Sequence, residues 1–463
     1  MYLLRRYDKQ SQLLSDMTKK HDGVTRRIAE FASNLSYESI PGDVIEYTKT
    51  LILDQLGVIF AAYGTRVHHV CQGVIDLSFG PGEAPVWGSN MKYVLPGAVL
   101  HNSQLGSALD LDDGHRLALG HPGAAIIPVA LTVAETRHKP GKALIEAIIA
   151  GYEVAIRTSM ARDAEKLENV STGAWGGFGA GIASGKLILG SLEELENILG
   201  LVSMYSPAIP GYLPEGRQMV KEGIPWSAMV GVQATLLTEA GFQGPQKVFD
   251  DLKTYSSDKL THELGRVFLI KDTYIKQYSC CRWLHPIVLL CHSLVQESDL
   301  NVNEIIEVRV KTFSRALRLS NIITPQTIED AQFSVPFCTA LALSKGENAL
   351  HLIDPQHLKD PEILRLSHRV TLHGDEEVEA AFPEKVGAKV EIETRKKVFS
   401  NALIRPIRGD AGNVFSRKEV KSKYLRYTEP VIGGHRAKNL FEFIENIEDF
   451  SSVKLSKLMG LNK

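Results

Sequence analysis

The sequence predicts a mainly α protein in which a large all-helical domain carries an inserted, smaller α+β domain. Three observations lead to this prediction: hardly a strand pattern occurs before residue 265, period-two alternation begins after residue 270, and helical patterns return after residue 415. A chain of 463 residues is too long for one ordinary core. We therefore expect a helical domain at residues 1–270 plus 406–463 and an α+β domain at residues 271–405.

Apolar residues at helical spacing predict the helices of the larger domain. The predicted helices cover residues 24–34, 44–62, 124–136, 141–160, 176–189, 192–204 and 226–240. Pro41 stands where a first-turn proline belongs for the second of these helices. Two further helices, at residues 416–424 and 437–458, are expected to pack back on the first domain.

Alternation of apolar and polar residues predicts the strands of the smaller domain. The predicted strands cover residues 306–313, 368–372 and 388–395. Helical stretches are predicted at 281–297 and 333–344 in the same domain.

Charge and composition restrict the class of partner. A formal net charge of −2 gives no reason to expect nucleic acid or an anionic membrane. The apolar stretch at residues 51–63 is interrupted by Asp54 and Gln55 and is too short to span a bilayer. Five cysteines without a regular framework indicate a reducing compartment. No secretory signal is visible, so we expect a cytoplasmic protein.

The most informative feature is an acidic turn, residues 109–116, followed by Gly-His-Pro-Gly at residues 120–123. Charged groups in apolar surroundings cost free energy unless they are paired, solvated or used. Because glycine and proline break the helix there, we expect these groups on a loop, where catalytic residues tend to lie. An aspartate beside a histidine can fix its tautomer or raise its basicity, so Asp110 and His121 are candidates for acid–base chemistry.

Two other interpretations of the acidic turn remain open. Its oxygen and imidazole groups, on Asp110, Asp112, Asp113, His115 and His121, would also suit Zn²⁺, Mn²⁺ or Fe²⁺, although no specific ligand spacing is present. Asp112 and Asp113 are also good helix-capping and turn residues.

Two basic clusters and a glycine run complete the set of motifs. Lys276, Arg282 and His285 accompany Cys280 and Cys281 at the expected domain junction, where ligand clefts are common. Arg217 and Lys221 precede a predicted helix whose first amides favour anions. Solvated cations on a surface loop are the alternative. The glycines at residues 173–186 fit neither a Walker nor a dinucleotide pattern, so we expect them to allow close helix packing.

Taken in order, the segments at residues 109–123, 221–226, 241–245 and 276–285 resemble the MmgE/PrpD family. That family includes 2-methylcitrate dehydratase, cis-aconitate decarboxylase and iminodisuccinate epimerase, and the likeness runs from about residue 24 to about residue 455. The resemblance implies an α+β lid on a large helical domain, a homodimer, and an active site between domain and lid that needs no cofactor and no metal.

The resemblance also assigns roles to residues. It implies that Asp110, His121, Lys221 and Lys276 are catalytic, with the pattern at Lys221 shifted by about one residue. The groups expected to bind substrate are Asp112, His115, Arg217, Cys281, Arg282 and His285. Decarboxylase members carry histidine where Val170 and Cys281 stand, tyrosine where Phe337 stands and threonine near Gly114, and these four departures argue against cis-aconitate decarboxylation.

These residues predict a lyase acting on a small anionic di- or tricarboxylic acid, with dehydration of a 2-methylcitrate-like hydroxy acid as the first choice. We expect His121 and Asp110 to handle the proton, while Lys276 and Lys221 stabilise the anion. Epimerisation starts with the same proton abstraction, so it remains open beside decarboxylation, a metal-dependent hydrolase and a non-catalytic carboxylate-binding protein.

Overall fold

A computed structural model describes residues 23–162, 171–207 and 221–459, and the protein is mainly α with a small α+β part. The α-helices within these ranges are α1 (Val24–Asn34), α2 (Gly42–Ala61), α3 (Arg66–Ser78), α4 (Leu95–Ser107), α5 (Pro122–Thr136), α6 (Gly141–Ala161), α7 (Gly176–Ile188), α8 (Leu192–Tyr205), α9 (Ile224–Glu239), α10 (Ser257–Thr261), α11 (His285–Glu297), α12 (Ser314–Leu317), α13 (Ile328–Gln332), α14 (Val335–Lys345), α15 (Pro361–Ser367), α16 (Glu376–Ala381), α17 (Arg417–Ile432), α18 (Gly434–Glu445) and α19 (Ser456–Met459). Within the described ranges, no helix combines the length and apolar character needed to cross a membrane.

The predicted helices of both domains are present, with three corrections. Pro41 is the residue before α2, not a residue of its first turn. The stretch at 281–297 becomes helical in α11 only from His285, after a short 3-10 turn at Arg282–Leu284. The helix expected at 437–458 ends at Glu445, because the following loop bonds to the start of α6: the amide of Gly141 donates to the carbonyl of Phe450 at 2.9 Å.

The described part of the first 265 residues holds few strand residues, as expected, although its individual strands are not predicted. Three short strands occur there, β1 (Pro81–Pro85), β2 (Lys92–Tyr93) and β3 (Gly114–His115). The first two pair with each other, and β3 pairs antiparallel with β4 (Thr273–Tyr274). The β3–β4 pair ties the acidic turn to the segment that carries Lys276.

A four-stranded sheet forms the β part of the smaller unit. Its strands are β5 (Ile305–Thr312), β6 (Val370–Gly374), β7 (Ala388–Thr394) and β8 (Val398–Leu403). Their order is β6-β5-β7-β8, in which only the β5–β6 pair is parallel. The three predicted strands are present, whereas β8 was not predicted. Alternate residues of β5 and β7 are buried, as period-two alternation requires.

Two large hydrophobic cores divide the described residues. The first takes in α1–α10 and α17–α19, and the second takes in α11, α13–α15 and β5–β8. Along the chain, core membership changes between Ile275 and Tyr278, directly beside Lys276. We propose two domains with the bounds given above, residues 1–270 plus 406–463 and residues 271–405, although the first core extends past residue 270 as far as Ile275.

The glycine run allows close helix contact. A Cβ atom added to Gly179 in α7 would lie 2.5 Å from the carbonyl oxygen of Gly151 in α6. Such a distance is too short for any side chain, so glycine at this position permits the α6–α7 packing on which the helical core is built.

Candidate active site

The acidic turn links the end of α4 to the start of α5. Asp110 has a φ of 48°, a left-handed conformation that reverses the chain after the helix. The carboxylates of Asp110, Asp112 and Asp113 are buried, and His121 directly precedes α5. Helix-breaking residues therefore do place these groups on a loop between two rigid helices.

Two lysines from distant segments neutralise this turn. Lys221 Nζ lies 2.7 Å from Asp110 Oδ1 and 2.5 Å from Asp112 Oδ1. Lys276 Nζ lies 2.8 Å from the same Asp110 oxygen and donates to the Asp110 carbonyl at 2.8 Å. Burial opposes ionisation of Asp110, but the two ammonium groups outweigh it and hold its pKa well below the ordinary value. Asp110, Lys221 and Lys276 thus lie together, as the sequence analysis required.

His121 is held as a neutral imidazole with one free lone pair. Its Nδ1 lies 2.6 Å from the carbonyl oxygen of Asp113, which can only accept, so Nδ1 carries the hydrogen. Burial, reinforced by the charge of Lys221, lowers the pKa of His121 to about 4. The unprotonated Nε2 lies 3.8 Å from Asp110 Oδ1 and 3.8 Å from Glu222 Oε1. This arrangement suits a general base.

Glu222 and Thr172 belong to the same cluster, although no sequence motif points to them. Thr172 Oγ1 accepts from the amide of His121 at 2.9 Å and donates to Glu222 Oε2 at 2.6 Å. The Thr172 amide also donates to Glu222 Oε2, at 3.0 Å. The only signal in the sequence is that Glu222 directly follows Lys221, and Thr172 has no such neighbour among the candidate residues.

Asp113 stabilises the loop rather than facing the lysines. Its Oδ1 accepts from the amide of Gly123 in the first turn of α5, and its Oδ2 accepts from the hydroxyl of Tyr152 at 2.6 Å. Burial raises the pKa of Asp113 to about 7. This contact supports the helix-capping interpretation for Asp113, while Asp112 joins the lysine cluster.

Arg282 and His285 form a neighbouring buried group. Arg282 donates to Asp410 Oδ1 at 2.8 Å and lies 3.1 Å from His285 Nδ1, and Asp410 was not singled out from the sequence. Burial and the charge of Arg282 lower the pKa of His285 well below its ordinary value. Both side chains therefore have protein partners at the junction between the cores, where Arg282 also covers the Tyr274 ring.

The other expected binding residues have different surroundings. His115 accepts from the amide of Ala118 inside its own turn, and burial lowers its pKa to about 4. Cys281 is half-buried near Asp110 and Lys276, and burial raises the pKa of its thiol. All five cysteines are free thiols. Arg217 and Val170 lie outside the described residues.

A metal ion fits this cluster poorly. Asp110, Asp112 and His121 each offer a ligand atom, and these atoms lie within 4.8 Å of one another. However, Lys221 contacts both carboxylates and Lys276 contacts Asp110, so a divalent cation would face two ammonium groups. We interpret the group as an internally balanced charge cluster.

The space around Gly114, near which decarboxylase members carry threonine, is limited. A Cβ atom on Gly114 would lie 2.3 Å from the hydroxyl oxygen of Tyr274, across the β3–β4 pair. Threonine at this position therefore requires Tyr274 to move.

Comparisons with known proteins agree with this architecture. The model of the MmgE/PrpD N-terminal domain matches residues 26–257, and that of the C-terminal domain matches residues 278–449. Cis-aconitate decarboxylase from Aspergillus terreus is 28% identical over 392 residues, which cover 77% of this chain and 79% of the relative. Cis-aconitate decarboxylase-like protein oryM from Aspergillus oryzae is 22% identical over 480 residues, which cover 95% of this chain and 97% of the relative. Cis-aconitate decarboxylase from Mus musculus is 21% identical over 456 residues, which cover 93% of this chain and 92% of the relative. The chain therefore belongs to the MmgE/PrpD family.

Proposed function

We propose that this protein is a lyase for a small di- or tricarboxylic acid and that its reaction begins with proton abstraction next to a carboxylate. The observation that carries the proposal is the neutral His121, whose free Nε2 lies beside the Asp110–Lys221–Lys276 cluster. Family membership and relatives named for cis-aconitate, a tricarboxylic acid, support the substrate class.

The proposed first step moves one proton. His121 Nε2 takes the proton from the carbon next to a substrate carboxylate, and the C–H electron pair moves into that carboxylate to give an aci-carboxylate. Lys221 and Lys276 stabilise the added negative charge, because Asp110 and Asp112 hold both ammonium groups in place before the reaction. The C–O bond on the adjacent carbon then breaks, its electron pair leaves with the oxygen, and the departing hydroxide takes up a proton from solvent to become water.

For the finer reaction we propose dehydration of a 2-methylcitrate-like hydroxy acid. A base with a free lone pair suits abstraction from a saturated carbon. Phe337, where decarboxylase members carry tyrosine, is 0% exposed in the second core and offers no hydroxyl group. Decarboxylation is the second candidate, because curated relatives carry that name. Epimerisation shares the first step with dehydration, and the two reactions are distinguished by their products.

The resemblance to the family also leads us to propose a homodimer. Light scattering on the purified protein measures this directly: a mass of twice the 51.1 kDa chain is expected, and a mass of one chain contradicts the proposal.

A panel of acids tests the proposed function. Purified protein is incubated with 2-methylcitrate, citrate, cis-aconitate and iminodisuccinate, and proton NMR follows each acid in H₂O and in D₂O. Dehydration of citrate gives a new vinyl signal, whereas dehydration of 2-methylcitrate at its methyl-bearing carbon converts the methyl doublet into the singlet of a new product. Epimerisation gives loss of an α-proton signal in D₂O without a new product. Activity that survives a chelator supports the proposal, whereas activity abolished by it favours a metal-dependent enzyme. Calorimetric binding of these acids without any turnover would contradict a lyase.

A further inference from the structure

Glu222 combines proximity to the proposed base with contact to solvent. Its Oε1 lies 3.8 Å from His121 Nε2, the atom that takes the proton, and its side chain is 22% exposed. The side chain of Asp110, the other carboxylate at this distance from Nε2, is 1% exposed. We propose that Glu222 carries the proton between His121 and solvent. This inference rests on the proposed function.

The backbone fixes Glu222 in this position. Glu222 and Gly223 both adopt left-handed conformations, with φ of 51° and 66°, and the amide of Gly173 donates to the Glu222 carbonyl at 2.9 Å. A left-handed conformation is uncommon for a residue with a side chain. It turns the chain between the Lys221 contacts and α9, so that one short segment supplies both an ammonium and a carboxylate to the site.

The two carboxylate oxygens of Glu222 have different surroundings. Oε2 accepts from the amide and the hydroxyl of Thr172, at 3.0 and 2.6 Å. Oε1 faces His121 Nε2. Since Thr172 Oγ1 also accepts from the His121 amide, the same residue positions both the imidazole and the carboxylate. The anchored oxygen orients the side chain, and the other oxygen remains for proton transfer.

Asp110 is unsuited to this role. Lys221 and Lys276 both contact its Oδ1 and hold its pKa well below the ordinary value, so it stays ionised when His121 is protonated. A carboxylate that stays ionised stabilises an imidazolium but does not carry a proton away from it. Asp110 and Glu222 therefore have separate tasks beside the same imidazole nitrogen.

The proposed relay moves one proton from His121 to Glu222 and then to water. After the substrate carbon has given its proton to His121, the Nε2–H bond breaks and an O–H bond forms at Glu222 Oε1, while the electron pair of the N–H bond remains on Nε2. Water then removes the proton from Glu222, and the base is restored. The 3.8 Å gap has to shorten by about 1 Å, as catalytic contacts in substrate-free enzymes commonly do.

The variant Glu222→Gln tests this relay, because it keeps the shape and an oxygen acceptor for Thr172 but carries no proton. The acid that the wild type turns over serves as substrate, in D₂O. We expect kcat to fall about 10²-fold, within the usual range for acid–base participation, while KM changes less than about threefold. We also expect the abstracted proton to return to substrate more often, so that solvent deuterium enters substrate more slowly. Formate should restore part of the activity of Glu222→Ala.

Glu135→Gln is the matched control. Glu135 is also half-buried and also accepts backbone N–H bonds, from Leu455 and Ser456, far from the cluster. Its activity should equal that of the wild type. The relay is overturned if Glu222→Gln keeps the wild-type kcat and the wild-type rate of deuterium entry into substrate. It is also overturned if kcat falls while the rate of deuterium entry, divided by the rate of turnover, equals that of the wild type. A wild type that transforms none of the acids overturns the proposed function itself.

Discussion

Lys276 Nζ lies 2.8 Å from both the carboxylate and the main-chain carbonyl of Asp110, so one ammonium group fixes the side chain and the backbone of the same residue. Both side chains are buried, and they come from segments 166 positions apart. The contact joins the end of α4 to the place where core membership changes, which makes it both a structural link and part of the charge cluster.

Breaking this pair should cost stability and activity in different ways. Lys276→Met leaves the buried Asp110 carboxylate with only Lys221, so the free energy of unfolding should fall by about 3–5 kcal/mol. The double variant Asp110→Asn with Lys276→Met should regain much of that stability, because no uncompensated charge remains. It should not regain turnover. Urea denaturation and kinetics measure both. A double variant that is less stable than Lys276→Met contradicts the pairing.

Activity should fall at an unusually acidic pH, because His121 is protonated only there. Burial and Lys221 lower the pKa of His121 from 6.5 to about 4, and a protonated imidazole has no lone pair for the substrate proton. In a pH profile, the acidic limb of kcat/KM, which reports groups of the free enzyme, is therefore expected near pH 4, well below the ordinary histidine range. A limb near pH 6.5 that is absent in His121→Gln would contradict this account.

The same lowered pKa has a consequence for stability. Because the unfolded chain binds a proton at His121 more readily than the folded chain, this residue contributes its full stability above pH 6.5. The contribution declines as the pH falls from 6.5 to about 4. In urea titrations, His121→Gln should therefore lose less stability over this interval than the wild type, and an equal loss would contradict the assigned direction.

Asp113 should be replaceable by asparagine but not by alanine. Its carboxylate accepts from Gly123 and Tyr152, and removing it leaves both donors buried without their acceptor. Asp113→Ala should lower the free energy of unfolding by about 1–3 kcal/mol per unsatisfied group. Asparagine keeps an acceptor for the Gly123 amide and can donate to the Tyr152 oxygen, so Asp113→Asn should cost less. Equal losses of unfolding free energy in the two variants would contradict the helix-capping role of Asp113.

Gly120→Ala should misplace the base without unfolding the protein. Its Cβ would lie 2.3 Å from Thr172 Oγ1, the atom that accepts from the His121 amide, and 2.6 Å from the Trp175 ring. A displacement of about 1 Å at a catalytic group can cost about 10²-fold in kcat. Gly73→Ala is the control, since nothing lies within 4 Å of its added Cβ, and it should keep wild-type turnover. Wild-type turnover in Gly120→Ala would contradict the Thr172 contact.

The sequence was most informative where one side of an element faces solvent. Helix α1 has a buried and an exposed side, and its predicted bounds match the structure. Helix α4 was missed because nearly every residue is buried, including His101, Asn102 and Ser103, so no apolar stripe marks it. The two-residue strands β2, β3 and β4 were missed because they are too short to show alternation.

The candidate site was predictable in part for a different reason. The resemblance singled out Asp110, His121, Lys221 and Lys276, and these four lie together. Glu222, Thr172 and Asp410 were not selected, because their contacts with His121 and Arg282 depend on how distant segments fold together. A hydrogen bond between a loop and a residue about 50 positions away leaves no periodic signal.

The central claim is that His121 Nε2 takes a proton from a carbon next to a carboxylate. Deuterium incorporation from D₂O into the acid that is turned over, compared between wild type and His121→Gln by proton NMR, tests it most directly. Circular dichroism of the variant establishes that it folds. The account predicts incorporation in the wild type and a reduction of at least about 10²-fold in the folded variant. Equal incorporation by both proteins would contradict it.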